Sequence, residues 1–182
     1  MRHNMNLRDD ALMIQSRGLD IEPTRTTQGM PRKRLETDSD AEFVLFLYES
    51  VKVAEMATFD AGVRSQLLRM QFSAMTGGYR ATFPAADYYI IEVDDHPIGR
   101  LILNVKSTLV QVIYIALLPQ FRNRGFGEAI MREALNVSPC CGAVCEATVA
   151  QGNTASLRLW KKLGFTRHTE TATDILMQRR PA

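Results

Sequence analysis

The segment that most constrains this chain is Ile113–Leu135, where an apolar run, a basic glycine turn and a helical pattern follow one another. The apolar run breaks at Pro119 and predicts a buried strand. The turn Arg122–Gly127 contains two arginines and two glycines. The unpaired N–H groups and the positive dipole end of a helix that begins there favour an anion. The segment therefore predicts a strand, a loop and a helix arranged to bind phosphate groups.

The glycine spacing separates this loop from other phosphate loops. The Gly-Lys-Ser/Thr sequence of a P-loop is missing, and so is the third glycine of a dinucleotide fingerprint. Arg122, Gly125 and Gly127 instead fit the pattern Arg/Gln-x-x-Gly-x-Gly/Ala. This resembles the acyl-CoA pyrophosphate loop of the GNAT superfamily of N-acetyltransferases. An ordinary strand-to-helix turn can use glycines in the same way. The loop alone therefore does not distinguish the two interpretations, and the other elements of the chain have to be considered.

Composition argues against several other classes of protein. The 182 residues are 46% hydrophobic, which suits one well-buried domain, and the net charge is only +2. Because the basic residues are dispersed, we expect no nucleic-acid binding. No apolar run approaches the roughly 20 residues that span a bilayer, so we expect no membrane insertion. The three cysteines and three histidines lack zinc-site spacing, which predicts no metal. The odd cysteine number and the polar N-terminus favour a cytoplasmic location.

The chain reads as one domain with an extension. Residues 1–31 contain few large apolar side chains and no sustained period, so we interpret them as an N-terminal extension, tail-like or loosely packed. The domain is expected to occupy residues 32–182. It would open with a short strand at 33–37, followed by a helix that Asp38–Asp40 could cap.

A second amphipathic helix is expected to begin after Asp60 and to end at Gly77-Gly78. In GNAT proteins two such helices form the wall over the acceptor cleft. The resemblance implies that four polar side chains of this region face the acceptor, although core or solvated surface is the simpler interpretation of any one of them. The apolar positions are Val63, Leu67, Met70 and Ala74 in one stripe, with Leu68, Phe72 and Met75 beside it. The four polar candidates are Tyr48, Gln71, Tyr79 and Arg80.

Four segments rich in β-branched and aromatic residues predict the central strands. Residues 87–93, 98–105 and 109–117 are separated by turn sequences and should form an antiparallel meander. Residues 143–150 should form a fifth strand, parallel to the fourth because a helix lies between them.

A second motif lies at Asn153–Phe165. Its Asn, Ala, Leu-Trp and Leu-Gly-Phe elements resemble the corresponding GNAT pattern. The spacing predicts a helix capped by Asn153 and ended by Gly164, with Leu157, Trp160 and Leu163 facing inward. A terminal hairpin should follow.

Two motifs in the expected order extend the resemblance over about residues 32–180. They imply the GNAT fold, of the α+β or α/β class. We therefore expect a mixed, mostly antiparallel sheet of about seven strands that separates between strands 4 and 5, flanked by about four helices.

The resemblance also implies acetyl-CoA as cosubstrate, with its pantetheine arm in the gap between strands 4 and 5 and its pyrophosphate on the glycine loop. No metal is implied. The positions that correspond to the family's cofactor contacts are Leu117, Leu118, Arg122, Asn123, Arg124, Gly125, Phe126, Gly127, Glu128, Asn153 and Trp160.

The catalytic residues are less defined. The family commonly places a tyrosine acid where this chain has Trp160, whose indole N–H can donate a hydrogen bond but is no acid at neutral pH. Gln111 stands where some relatives have a glutamate. Tyr114 should point to the opposite face from its neighbours on strand 4, and is our candidate catalytic residue, with core packing as the alternative. Glu92 and Glu146 are more simply paired or solvated side chains.

The resemblance implies an N-acetyltransferase that acts on a primary amine of a small molecule or a protein. The alternative is a non-catalytic acyl-CoA-binding regulatory module, since the usual acid and base positions are altered. A nucleotide binder unrelated to CoA lacks its motifs. Exposed sheet edges are compatible with a homodimer, but no segment specifies an interface or the acceptor.

Overall fold

The computed structural model describes residues 29–136 and 142–181, which form a seven-stranded sheet with four helices. Of the expected N-terminal extension, only residues 29–31 belong to the described part, and Cys140 and Cys141 lie outside it. The strands are β1 (Arg32–Leu35), β2 (Asp87–Val93), β3 (His96–Val105), β4 (Leu109–Leu117), β5 (Val144–Ala150), β6 (Thr166–Glu170) and β7 (Asp174–Arg179). The helices are α1 (Ala41–Lys52), α2 (Ala61–Thr82), α3 (Phe126–Asn136) and α4 (Thr154–Lys162).

The strand order is β1-β2-β3-β4-β5-β7-β6, and the neighbouring strands are antiparallel except for β4 and β5. The parallel ladder runs only from Leu109 opposite Val144 to Val112 opposite Ala147. β4 continues to Leu117 without a partner on that side, so the two strands separate. The predicted seven-stranded GNAT architecture, including this gap, is confirmed.

β4 carries one extra residue at the start of the gap. Tyr114 lies opposite Ile102, whereas Val112 lies opposite Leu103, so Ile113 is a β-bulge. Since strand side chains alternate, the bulge puts Val112 and Tyr114 on opposite faces of the sheet. Tyr114 shares its face with Ile102, as the register shows.

The helices cover the two faces of the sheet. Lys33 of β1 forms an ion pair with Glu133, which places α3 on the face that carries Lys33. Tyr79 of α2 contacts Tyr114, with 6.4 Å between ring centroids, which places α2 on the opposite face. The bulge therefore directs Tyr114 toward α2.

The second helix is longer than expected. It continues through Gly77 and Gly78 to Thr82, so the predicted end was wrong. Two glycines inside a helix cost only about 1 kcal/mol each, and the helix ends where Phe83 precedes Pro84. The predicted first apolar stripe was also wrong, because Val63 is 49% and Met70 is 62% exposed. Leu68 and Phe72 lie inward instead.

Asp40 precedes α1 as expected but does not cap it. Its carboxylate accepts hydrogen bonds from the Thr37 backbone N–H at 2.8 Å and from the Arg34 guanidinium at 2.6 and 2.7 Å. Arg34 also donates to the buried carboxylate of Glu92. These hydrogen bonds, first of all that from Arg34, lower the pKa of Asp40 to about 2. The acidic residue thus ties β1 to the start of α1.

Within the described residues, none of the helices is both long and apolar enough to cross a lipid bilayer. Nor does the described part contain three or more His, Cys, Asp or Glu side chains grouped so as to hold a metal ion.

Candidate acyl-transfer site

The glycine loop lies between the end of β4 and the first turn of α3. Asn123 and Gly125 both have positive φ, 58° and 85°. Such turns point successive N–H groups in one direction and form anion-binding concavities. The carbonyl of Gly125 accepts the first helical hydrogen bond, from Ala129 at 3.0 Å. The N–H groups of Phe126 and Gly127 are therefore at the start of the helix, as an anion site requires.

The two arginines of the loop have intramolecular contacts. Arg122 Nε donates to the Leu117 carbonyl at 3.0 Å, which fastens the loop to the end of β4. The Arg124 guanidinium lies over the rings of Phe121 and Phe126, at 5.8 and 5.3 Å. Both side chains therefore brace the loop, and the anion site depends chiefly on backbone N–H groups.

The end of β4 is held tightly against β3. A Cβ on Gly99 would lie 2.4 Å from the Ala116 carbonyl oxygen, so only glycine fits there. The Leu118 N–H donates to the Ile98 carbonyl at 2.9 Å and is therefore not open to a ligand. The side chain of Leu118 is fully buried. Leu117 is the more accessible of the two predicted positions.

Glu128 lies in the first turn of α3, where its charge could compete with a bound anion. Its carboxylate is held by Lys162 of α4 at 2.5 Å and by Arg132 at 2.9 Å. The hydrogen bonds from Lys162 and Arg132 lower the pKa of Glu128. The two cations neutralise the carboxylate and join α3 to α4.

A cleft of about 590 Å³ lies where β4 and β5 separate. Its lining comes from α1, α2, β4, β5 and α4. Of the four polar residues predicted to face the acceptor, only Arg80 is outside the lining, because it stacks on the Tyr88 ring at 5.0 Å. The predicted cofactor residues Leu117, Leu118 and Arg122–Glu128 are outside the lining as well. The predicted residues that line the cleft are Tyr48, Gln71, Tyr79, Tyr114, Asn153 and Trp160.

The side chains of Asn153 and Trp160 both form hydrogen bonds with Ser156 of α4. Asn153 accepts a hydrogen bond from the Ser156 N–H at 3.1 Å and so caps the helix as predicted. Trp160 is buried, packs on Phe165 at 4.9 Å between ring centroids, and donates its indole N–H to Ser156 Oγ at 3.0 Å. Trp160 is therefore a core residue with one part exposed to the cleft, and its N–H is already engaged.

Tyr114 stands in the floor of the cleft, beside Tyr79. Burial raises the pKa of Tyr114 to about 12, although Arg100 opposes the shift. Burial likewise raises the pKa of Tyr79. Both phenols remain protonated at neutral pH and can donate hydrogen bonds.

Arg100 was not predicted. It is 1% exposed, and its guanidinium donates to both oxygens of Glu36, at 2.7 and 2.9 Å. It also lies over the Tyr88 ring at 5.2 Å, on the sheet face that Ala116 and Tyr114 share. A single charge inside the apolar run Ile98–Val105 was the sequence signal for it.

The other strand carboxylates are engaged elsewhere. Glu92 binds Arg32 and Arg34, and Glu146 accepts a hydrogen bond from Gln178 at 3.0 Å. Gln111 accepts from Asn104 at 2.9 Å and is outside the cleft lining. The interpretation of Glu92 and Glu146 as paired side chains agrees with these contacts.

The fold is shared with known acetyltransferases. The sequence model of the acetyltransferase (GNAT) family matches residues 63–165, more than half of the chain. The chain therefore belongs to the GNAT family. No sequence among the curated proteins is significantly similar to it.

Solved structures share the fold at low identity. The PaiA N-acetyltransferase of Thermoplasma acidophilum, in complex with coenzyme A, has a TM-score of 0.64 and 16% identity, and the match covers 82% of this chain and 98% of that one. The N-acetyltransferase PseH of Campylobacter jejuni with acetyl coenzyme A gives 0.55 and 16%, covering 84% and 100%. The spermidine N-acetyltransferase of Vibrio cholerae with CoA and spermine gives 0.60 and 14%, covering 83% and 95%.

Proposed function

We propose that this protein is an N-acetyltransferase that transfers an acetyl group from acetyl-CoA to a primary amine by direct attack in a ternary complex. The observation that carries the proposal is the open gap between β4 and β5, with the glycine loop at the end of β4. The unpaired backbone of β4 beyond Val112 can bond a pantetheine arm in the way that an added strand would. A cytoplasmic location is part of the proposal, and the buried free thiol of Cys145 is compatible with it.

The residues of the gap fit acetyl-CoA. The amides from Arg122 to Glu128 would hold the pyrophosphate. Leu117 at the end of β4, with Asn153 and Trp160 from the cleft lining, would border the arm. Bound acetyl-CoA supplies the acyl group in activated form, as a thioester. The protein holds the amine and the thioester at contact distance, which accounts for much of the rate in such reactions.

Tyr114 is the proposed catalytic side chain. With its pKa raised to about 12 by burial, it is a weaker acid than a thiol of pKa about 8.5. Full proton transfer from Tyr114 to the leaving sulfur is therefore uphill, and we assign it a hydrogen-bond donor role. Because one hydrogen bond contributes about 0.5–1.5 kcal/mol, Tyr114→Phe should lower kcat by up to about tenfold and leave the affinity for acetyl-CoA unchanged.

The second candidate, a non-catalytic acyl-CoA-binding module, draws its support from Trp160. The indole N–H donates to Ser156 and leaves the usual position of the acid without a proton donor. The two functions share the cofactor site and differ only in turnover.

The test begins with thermal unfolding in the presence of acetyl-CoA, CoA, ATP and NAD. A ligand at about 100 times its Kd stabilises by about 2.7 kcal/mol, which raises the Tm of a domain of this size by roughly 5–11 °C. We expect shifts with acetyl-CoA and CoA alone. Release of free CoA thiol with an amine panel then decides between enzyme and binding module. No shift with either CoA species contradicts both candidates.

A further inference from the structure

The wall of the cleft opposite β5 is built from aromatic and apolar side chains. Tyr48 packs on Phe72 at 5.5 Å, and Tyr79 packs on Tyr114 at 6.4 Å. Val51 and Met75 complete this wall. Such a surface favours an acceptor with a flat apolar body, because aromatic pairs add to the free energy of area burial.

The described residues that line the cleft include no aspartate, glutamate or histidine. Three nearby carboxylates are paired with cations and stand outside the lining. A protonated amine that entered would therefore find neither a counter-charge nor a base of suitable pKa among these side chains. The three pairs are Glu36 with Arg100, Glu55 with Lys52, and Glu49 with Arg69.

Charges of both signs act on the cleft: besides burial, which raises the pKa of Tyr48, Lys52 lowers that pKa and Glu55 raises it. Lys52 belongs to its lining, and Arg100 lies on the same sheet face as Tyr114. Arg100 lowers the phenol pKa of both Tyr79 and Tyr114 against the larger effect of burial, so its field reaches both side chains. Arg122 acts on Tyr114 in the same direction. Because Lys52 and Arg100 are paired with Glu55 and Glu36, an ammonium ion in the cleft would be desolvated without an unpaired carboxylate in the lining to stabilise it.

The remaining titratable groups give no route for a proton at neutral pH. Burial raises the pKa of Tyr48 and Tyr79, and Tyr114 titrates at about 12. Arg80 is stacked on Tyr88, and Glu146 is bound by Gln178. Deprotonation of a strongly basic amine inside the cleft has no evident acceptor among these groups.

We propose that the acceptor is an arylamine, a weakly basic amine that is uncharged at neutral pH and carried on an aromatic ring. This proposal rests on the proposed function. The neutral nitrogen attacks the thioester carbonyl carbon, the N–C bond forms and the C–S bond breaks. The proton lost by nitrogen passes to the departing sulfur, directly or through water. The products are an N-acetyl arylamine and CoA thiol, and no enzyme base is consumed.

The test uses two isomeric amines, p-toluidine and benzylamine, which have the same atoms but differ in basicity. Release of CoA thiol by the full chain is measured for both from pH 6 to pH 9, with spermidine as a polyamine. We expect kcat/KM for p-toluidine to be flat with pH. For benzylamine, protonated like a lysine side chain, kcat/KM should rise about tenfold per pH unit. At pH 7 p-toluidine should exceed both other amines by at least tenfold.

A second measurement uses a variant that places a carboxylate in the cleft lining. Gln71 lines the cleft from α2 and accepts a hydrogen bond from Tyr48 at 3.3 Å. Gln71→Glu should raise kcat/KM for benzylamine relative to p-toluidine by about tenfold. Gln66→Glu, an exposed position on the same helix outside the cleft, should leave the ratio unchanged.

The outcomes separate the acceptor proposal from the function. Preference for benzylamine or spermidine, or one inflection at the same pH for both isomers, overturns the weakly basic acceptor and leaves the acetyltransferase intact. Thermal stabilisation by acetyl-CoA without turnover of any amine overturns the enzyme assignment, and the acceptor proposal with it. Both expected profiles together support the proposal.

Discussion

The two regions of the proposed site are built by different means. The proposed cofactor side consists of backbone groups from one continuous segment, the end of β4, the glycine loop and the first turn of α3. The proposed acceptor side consists of side chains from α1, α2 and β4 that line the cleft, with the Arg100–Glu36 pair beside them. Local geometry determines the first, whereas tertiary packing determines the second. A site of the first kind depends on the conformation of the backbone, and one of the second kind depends on which side chains pack together.

The largest expected effect is a loss of folding free energy when the buried charge of Arg100 is removed. Arg100→Met leaves Glu36, whose side chain is 12% exposed, without its partner. Removing one member of a buried pair costs about 3–5 kcal/mol, so urea unfolding should show a loss of that size. The double variant Arg100→Met/Glu36→Gln should recover part of it. A loss below about 1 kcal/mol would mean that Arg100 is not needed to hold this side together.

The cofactor side should respond to charge at a single backbone position. Gly127→Glu places a carboxylate in the first turn of α3, where it competes with the pyrophosphate but favours the helix dipole. A Cβ at Gly127 would meet only Leu117 and Leu159, at 3.7 and 3.8 Å, so the fold should persist. We expect the stabilisation by acetyl-CoA, about 2.7 kcal/mol at 100 times Kd, to disappear.

The matched control for that variant is Gly62→Glu. Gly62 is likewise the second residue of its helix, α2, and has open space around it. Its acetyl-CoA shift should equal that of the wild type. Equal loss in both variants would show that the effect is not specific to the loop.

Acid should weaken the attachment of β1 to the start of α1. Asp40 has its pKa lowered from 3.8 to about 2, chiefly by the hydrogen bonds from Arg34. Its contribution is therefore present above about pH 4 and is lost as the pH falls toward 2. Asp40→Asn should cost about 2 kcal/mol at pH 7 and flatten the stability profile below pH 4. Asp38→Asn, exposed on the same turn, provides the charge-matched control, and an equal effect of both would rule out the Arg34 contact as the cause.

The smallest expected changes in the free energy of unfolding are at two glycines, Gly77 in α2 and Gly125 in the loop, and they have opposite signs. Gly77 lies in open space within α2, so Gly77→Ala should stabilise the protein by about 0.5–1 kcal/mol. Gly125 has a φ of 85°, and Gly125→Ala should destabilise by about 1–2 kcal/mol. Thermal unfolding measures both. Stabilisation by Gly125→Ala would contradict the loop conformation described above.

The same difference explains what the sequence could and could not predict. The loop and the cap of α4 are local, so Gly125, Gly127 and Asn153 could be located from spacing alone. The C-terminal end of α2 could not be predicted, because tertiary packing extends the helix beyond Gly77 and Gly78. The contact of Arg100 with Glu36 joins residues 64 positions apart, and no local pattern reports it.

The bulge at Ile113 determines how β4 would respond to the loss of a residue. Val112 and Leu117 are five positions apart and share a face of the sheet because the bulge takes up Ile113, while Tyr114 lies on the other face. Deletion of Ile113 would make β4 a regular strand and leave its pairing with β3 unchanged. Deletion of Ile115 would either remove the bulge and turn Tyr114 away from α2, or keep the bulge and turn Leu117 toward α2. The position of a deletion in this strand therefore matters more than its length.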